Sequence, residues 1–136
     1  MGKLNLEVVT PSGIIADTEA DIVVAPGSEG EFGVLPGHIN FLSGIVPGEL
    51  RYTNGEKTEY MAISSGFAEV SSDKVSILVD SGEMANMIDI ERAQSAMDRA
   101  KERLSKKRDA VDIDFARAEA ALQRAISRLK VAKKIG

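Results

Sequence analysis

Five arginines give this 136-residue chain its most specific chemistry. Arg92 and Arg99 stand seven residues apart in one helical pattern, while Arg117, Arg124 and Arg128 are spaced at seven and four in a second, so each group lies along one helix face. A guanidinium is a planar fork of N–H donors that meets phosphate or carboxylate oxygens two at a time. Arginines converging from facing helices therefore make a clamp for a polyphosphate or a carboxylate. The same residues also alternate with Glu and Asp, and a solvated helix face with exposed ion pairs of little energetic weight accounts for them as well.

Elsewhere the candidates for chemistry are few. Gly27-Ser28-Glu29-Gly30-Glu31-Phe32-Gly33 has the glycine density of a phosphate-cradling loop, but no Lys-Ser/Thr follows it and it runs into a strand pattern. Its glycines read as turn residues. Glu29 and Glu31 are paired carboxylates with no nucleophile near them in the chain, which fits loop acids or partner contacts better than acid-base catalysis. His38 is the single histidine, so a metal site built on several imidazoles is excluded, and zero cysteines exclude thiolate zinc, disulfides and a cysteine nucleophile. No catalytic residue and no metal ligand is assigned, and an independent enzyme is the least supported class.

Two kinds of element must position the arginines. Up to Met84 the chain reads as about ten short β-segments: Leu4, Leu6 and Val8 in a period of two, Ile14-Ile15, Ala20 to Ala25, Phe32 to Leu35, Asn40 to Val46, Glu49 to Thr53, Glu56 to Ile63, Phe67 to Val70 and Val75 to Asp80. Asn54-Gly55 predicts a type I′ hairpin turn, and Ser71 to Lys74 a second hairpin. Close, regular spacing indicates a sandwich or flattened barrel. Ser81 to Met87 has no sustained pattern and is expected to be a linker.

The language changes at Ile88-Asp89-Ile90-Glu91-Arg92-Ala93. Asp89 is placed as an N-cap whose carboxylate accepts backbone N–H groups of the next turn, with Ile88 and Ala93 at the flanking staple positions. Arg92 stands where a capping box would put Glu or Gln. Ile90, Ala93, Met97, Ala100 and Leu104 form one helical stripe; Phe115, Ala118, Leu122, Ala125, Leu129 and Ala132 form another, with Asp112 as its cap between Val111 and Ala116. Both stripes alternate large with small, as two closely packed antiparallel helices require. Helices of about 17 to 20 residues are marginal alone in water, so the hairpin needs a further surface or opens. The expected class is α+β in two domains, an N-terminal β-sandwich at 1–84 and a C-terminal antiparallel helical hairpin at 85–136.

The net charge of -4 divides unequally. Met1 to Met84 carries 13 acidic and 4 basic residues, net -9, whereas Ala85 to Gly136 carries 8 and 13, net +5. A basic helical half suggests an anionic partner. Nucleic acid is disfavoured, since only six aromatics are available for base stacking. No apolar run approaches the roughly 20 residues of a membrane span, and Met1 to Thr10 lacks a secretory leader pattern, so neither direct membrane insertion nor export is expected.

Read together, Gly27-Ser28-Glu29-Gly30-Glu31-Phe32-Gly33-Val34-Leu35-Pro36-Gly37-His38, Pro47-Gly48, Ser65-Gly66-Phe67-Ala68-Glu69-Val70, Ile88-Asp89 with Arg92-Ala93, and Arg124-Ala125-Ile126-Ser127-Arg128-Leu129 resemble the epsilon-subunit family of bacterial F-type ATP synthases along essentially the whole chain. The resemblance implies a non-catalytic subunit of the central rotor. Its sandwich would bind the gamma subunit and the ring of c subunits and couple them during proton-driven ATP synthesis. Its movable hairpin would extend toward the alpha/beta catalytic head and inhibit ATP hydrolysis. It also implies a regulatory, not obligatory, ATP site in the compact hairpin, formed by Glu83, Ile88, Asp89, Arg92, Ala93, Arg124 and Arg128. Glu31 and His38 would face the c ring. A basic face of Lys106, Lys107, Arg108, Lys130, Lys133 and Lys134 would meet the catalytic head. The expected location is peripheral, on the cytoplasmic face of the plasma membrane. A stand-alone nucleotide-binding sensor uses the same arginines without a gamma partner.

Overall fold

The computed structural model describes residues 2–105 and 115–133. Ten strands come first: β1 (Leu4–Thr10), β2 (Gly13–Ala20), β3 (Ile22–Gly27), β4 (Gly30–Val34), β5 (Phe41–Ile45), β6 (Gly48–Asn54), β7 (Lys57–Ile63), β8 (Gly66–Ser71), β9 (Lys74–Val79) and β10 (Gly82–Met84). A single 3₁₀ turn, Ala85–Met87, leads into helices α1 (Ile90–Ser105) and α2 (Phe115–Lys133).

The strands form one sheet in the order β10-β7-β6-β3-β5-β8-β9-β1-β2, with β4 paired to β3 off that path, curled into a near-barrel. Alternation drives the closure. Leu4, Leu6, Val8, Val23, Leu50, Met61 and Ile77 all point inward and are fully buried, and each such side chain contributes about 1.5–3 kcal/mol by leaving water. Gly66 opens the Ser65-Gly66-Phe67 motif because β9 passes too close for a side chain: a Cβ there would lie 1.9 Å from the Leu78 carbonyl oxygen. Outside, Phe67, Leu78, Val9 and Ile14 are successive register partners across β8, β9, β1 and β2. This apolar row stays in the open, with Phe67 63%, Leu78 52% and Ile14 61% exposed.

Two turns differ from the sequence reading. The β6–β7 register pairs Asn54 with Lys57, so the central residues are Gly55 and Glu56, not Asn54 and Gly55. Only Gly55 of that pair has positive φ, +67°, the requirement of a II′ turn with glycine first. Asp21 fixes it by accepting the Gly55 N–H at 2.7 Å. That bond and the Lys3 ammonium, the larger influence, hold the Asp21 carboxyl below the usual carboxylate range. The turn with positive φ at both positions is Ser72-Asp73, at 50° and 63°. Asp73 tolerates it while accepting the Gly37 N–H at 2.7 Å.

The expected linker is built structure. Glu83 pairs with Ala62 and Met84 with Met61, so β10 lengthens the sheet edge along β7. Periodicity could not reveal a strand of three residues whose only support is a neighbour distant in the chain. Ile90 also leaves the proposed α1 stripe and is 56% exposed.

Candidate nucleotide site and partner surfaces

Helix α1 starts where its cap dictates. The Asp89 carboxylate accepts the Arg92 backbone N–H at 3.1 Å, and the Asp89 carbonyl accepts the Ala93 N–H at 3.0 Å. Ile88 and Ala93, on either side of the cap, are buried in one apolar cluster with Ala62, Ala85, Leu129, Val131 and Ala132. Four residues of the Ile-Asp-x-x-Arg-Ala pattern thus set where the helix begins and how it leaves the sheet. Arg92 itself is exposed, beside Glu91, Ser95 and Arg99 in a shallow surface depression.

The helices pack through their small residues. Ala93 and Ala100 of α1 and Ala118, Ala125 and Ala132 of α2 are buried, whereas Met97, Leu104 and Leu122 are only half-buried at the seam's edges. Because an alanine fills so little space, a gap remains where α1, α2 and the β7–β10 edge meet. It is a cavity of about 450 Å³, within the range of small-molecule sites.

Four guanidinium groups line this cavity, Arg99 and Arg103 from α1 and Arg124 and Arg128 from α2. Glu83 of β10 is its carboxylate. Glu83 holds Arg128 in a two-pronged ion pair, the Arg128 Nε–H donating to Oε1 and Nη2–H to Oε2, the latter at 3.3 Å. Both side chains are about two-thirds or more buried, so this is a link between hairpin and sheet and not a surface ornament. The remaining wall is mainly alanine, Ala96, Ala100, Ala121 and Ala125. The lining is therefore asymmetric: an alanine-rich apolar wall beside a concentration of forked donors suited to phosphate oxygens.

Of the residues singled out in the sequence, Glu83, Arg124 and Arg128 share the cavity wall, Ile88, Asp89 and Ala93 sit at the α1 start, and Arg92 is outside the wall. Arg117 is exposed and is not on the wall either. Arg103 was missed. Its signal was present, since it lies four residues beyond Arg99 on the same helix face.

On the sandwich, Glu31 accepts both terminal N–H groups of Arg51 at 3.2 Å, and Arg51 also reaches Glu49 at 3.2 Å. His38 is tied to the Ile39 carbonyl through Nδ1 at 2.7 Å, and its ring meets Phe41 edge-on with centroids 6.0 Å apart. Around it Leu35 and Ile39 are 57% and 77% exposed. Lys130 and Lys133 are exposed on the last turns of α2. Lys106, Lys107, Arg108 and Lys134, with the Asp112 cap and Val111, lie outside the described residues.

Residues 3–85 match the family model described as ATP synthase, Delta/Epsilon chain, beta-sandwich domain, and residues 87–133 match its long alpha-helix domain. The chain belongs to the ATP synthase delta/epsilon family. An ATP synthase epsilon chain of Syntrophobacter fumaroxidans is 52% identical over 132 residues, 97% of each chain. One of Nitratidesulfovibrio vulgaris is 52% identical over 110 residues, covering 81% of this chain and 82% of that one. Among solved structures, a chain of the Euglena gracilis mitochondrial ATP synthase, OSCP/F1/c-ring in rotational state 1, superposes with a TM-score of 0.81 at 26% identity, over 98% of this chain and 82% of that one.

Within this delta/epsilon chain the Glu83–Arg128 pair is expected to couple the helices to the sheet by about 1 kcal/mol. A double-mutant cycle of Glu83→Gln and Arg128→Gln, read by thermal denaturation, is expected to give that interaction energy. Strict additivity would show that the pair holds nothing.

Proposed function

We propose that this chain is a non-catalytic subunit of the central rotor of an F-type ATP synthase, whose docked hairpin binds ATP and whose released hairpin inhibits ATP hydrolysis. The single observation that carries this reading is the arginine cavity, because its walls come from both helices and from the sheet edge. A ligand there touches every part that must stay together for the hairpin to remain docked.

The triphosphate lies along Arg99, Arg103, Arg124 and Arg128, and the base lies against the alanine-rich wall. ATP at ten times its dissociation constant, binding the docked shape alone, favours that shape by about 1.4 kcal/mol. So modest a bias acts as a switch only if docked and released hairpins are already close in free energy.

The sandwich offers two partner surfaces. The row Phe67, Leu78, Val9 and Ile14, exposed except at half-buried Val9, is an apolar strip across four strands, which fits a lasting contact with the gamma subunit. The loop bearing Leu35, His38 and Ile39, with Glu31 near it in the chain, fits the c ring. The released hairpin carries its basic face, including Lys130 and Lys133, to acidic surface on the alpha/beta head. Family membership and the likeness to a chain of an F1/c-ring assembly support this placement. No described helix is long and apolar enough to cross a membrane. In this reading its partners hold the subunit peripherally, at the cytoplasmic face of the plasma membrane.

Arg124→Ala is expected to weaken ATP binding by about tenfold or more, the loss of one charge-assisted fork, and Arg92→Ala by less, both by titration calorimetry on the full chain. Equal affinities in all three proteins would remove the cavity from the mechanism. In the assembled complex, deleting residues 88–136 is expected to preserve rotor assembly and raise ATP hydrolysis. Unchanged hydrolysis would remove the inhibitory role.

A further inference from the structure

A second cavity, about 460 Å³, lies on the flank of α2 opposite the arginines. Helical geometry separates the two: Gln123, Ile126, Lys130 and Lys133 fall roughly half a turn around α2 from Ala121, Arg124, Ala125 and Arg128. Its other wall is Pro47 of the β5–β6 connection with Gly48 and Glu49, the first two residues of β6. This groove, too, exists only while the hairpin is docked.

Three features make it a site instead of a packing gap. Ser127 borders it and is 8% exposed, yet its Oγ has no hydrogen-bond partner among the described residues. A buried hydroxyl in that state is costly, and a serine has three staggered χ1 wells through which to turn toward an acceptor. Lys130 and Lys133 add two ammonium groups on one side of the groove. The carboxylate facing them, Glu49, already accepts from Arg51 at 3.2 Å, which leaves the groove's balance positive. Finally, Pro47 and Ile126 give it an apolar wall that a bare ion would leave unfilled.

We propose that this groove binds a small organic anion, with a phosphate or carboxylate group between Lys130, Lys133 and the Ser127 hydroxyl and its apolar part against Pro47 and Ile126. The oxyanion accepts the Ser127 O–H, which completes the one buried side-chain group lacking a partner among the described residues. Because its walls belong to the helix and to the sheet, the ligand adds to docking by mass action, independently of nucleotide in the arginine cavity.

The test is an NMR titration of the full chain with phenyl phosphate, with inorganic phosphate as a second arm and both repeated with ATP present. Saturable shifts are expected at Gly48, Ser127 and Lys130, undisplaced by ATP, with inorganic phosphate binding several-fold more weakly. Ser127→Ala is expected to weaken phenyl phosphate about fivefold without lowering the melting temperature, and Lys130→Gln with Lys133→Gln about tenfold or more. Shifts confined to Arg99 and Arg124, displacement by ATP, or equal binding of the two phosphates would overturn the proposal. So would a Ser127→Ala protein that binds phenyl phosphate normally and melts lower, since that is the signature of a structural hydroxyl.

Discussion

The hairpin is held on the sandwich by a contact made largely of alanine, and the rest of the molecule's behaviour depends on how little that contact buries. Of the seven buried residues in the cluster joining hairpin and sheet, four are alanines: Ala62, Ala85, Ala93 and Ala132. Ile88, Leu129 and Val131 are its larger fully buried side chains, with Tyr60 and Met97 packed half-buried against them. The sandwich has its own separate core of Leu, Val, Ile and Met, closed on itself and independent of the helices. Since stabilisation scales with apolar area removed from water, the two halves must differ widely in how firmly they are held.

A weak, small-residue seam also explains why cavities flank α2. Val131 packs that helix onto Ala62 of the sheet, and cavities open to either side of α2. On one side the gap is walled by guanidinium groups with a single carboxylate, Glu83, as the tether; on the other it is walled by Lys130, Lys133 and proline. Larger residues at Ala96, Ala100, Ala121 and Ala125 would fill the first gap and make docking strong, at the cost of its sensitivity to anything bound there. In the proposed mechanism, weak docking and ligand control are two consequences of the same alanines.

Much of this was legible in the sequence because it was local. The Asp89 cap needs nothing beyond the next turn, the ten-strand character follows from alternation and turn residues, and the spacing of Arg124 and Arg128 follows from helical period. What escaped depended on distant neighbours. The β10 strand exists because β7 offers an open edge, and the Glu31–Arg51 pair spans 20 residues of chain. The arginine stripe could be recognised on each helix, but not which edge of it would face the sheet, so Arg103 was not distinguished and Arg92 was grouped with residues it does not join on the cavity wall. The Gly55 turn slipped by one because Asn-Gly is a strong local signal for I′, whereas register was decided by the Asp21 carboxylate and the pairing of Asn54 with Lys57.

Native-state amide hydrogen exchange on the full chain tests the central claim most directly. If docking is weak and separate, the amides of 121–131 exchange through a partial opening several kcal/mol below the global unfolding that governs β1 and β9, and saturating ATP raises their protection while leaving the strands unchanged. Helix and strand amides that exchange together, with and without ATP, would contradict it.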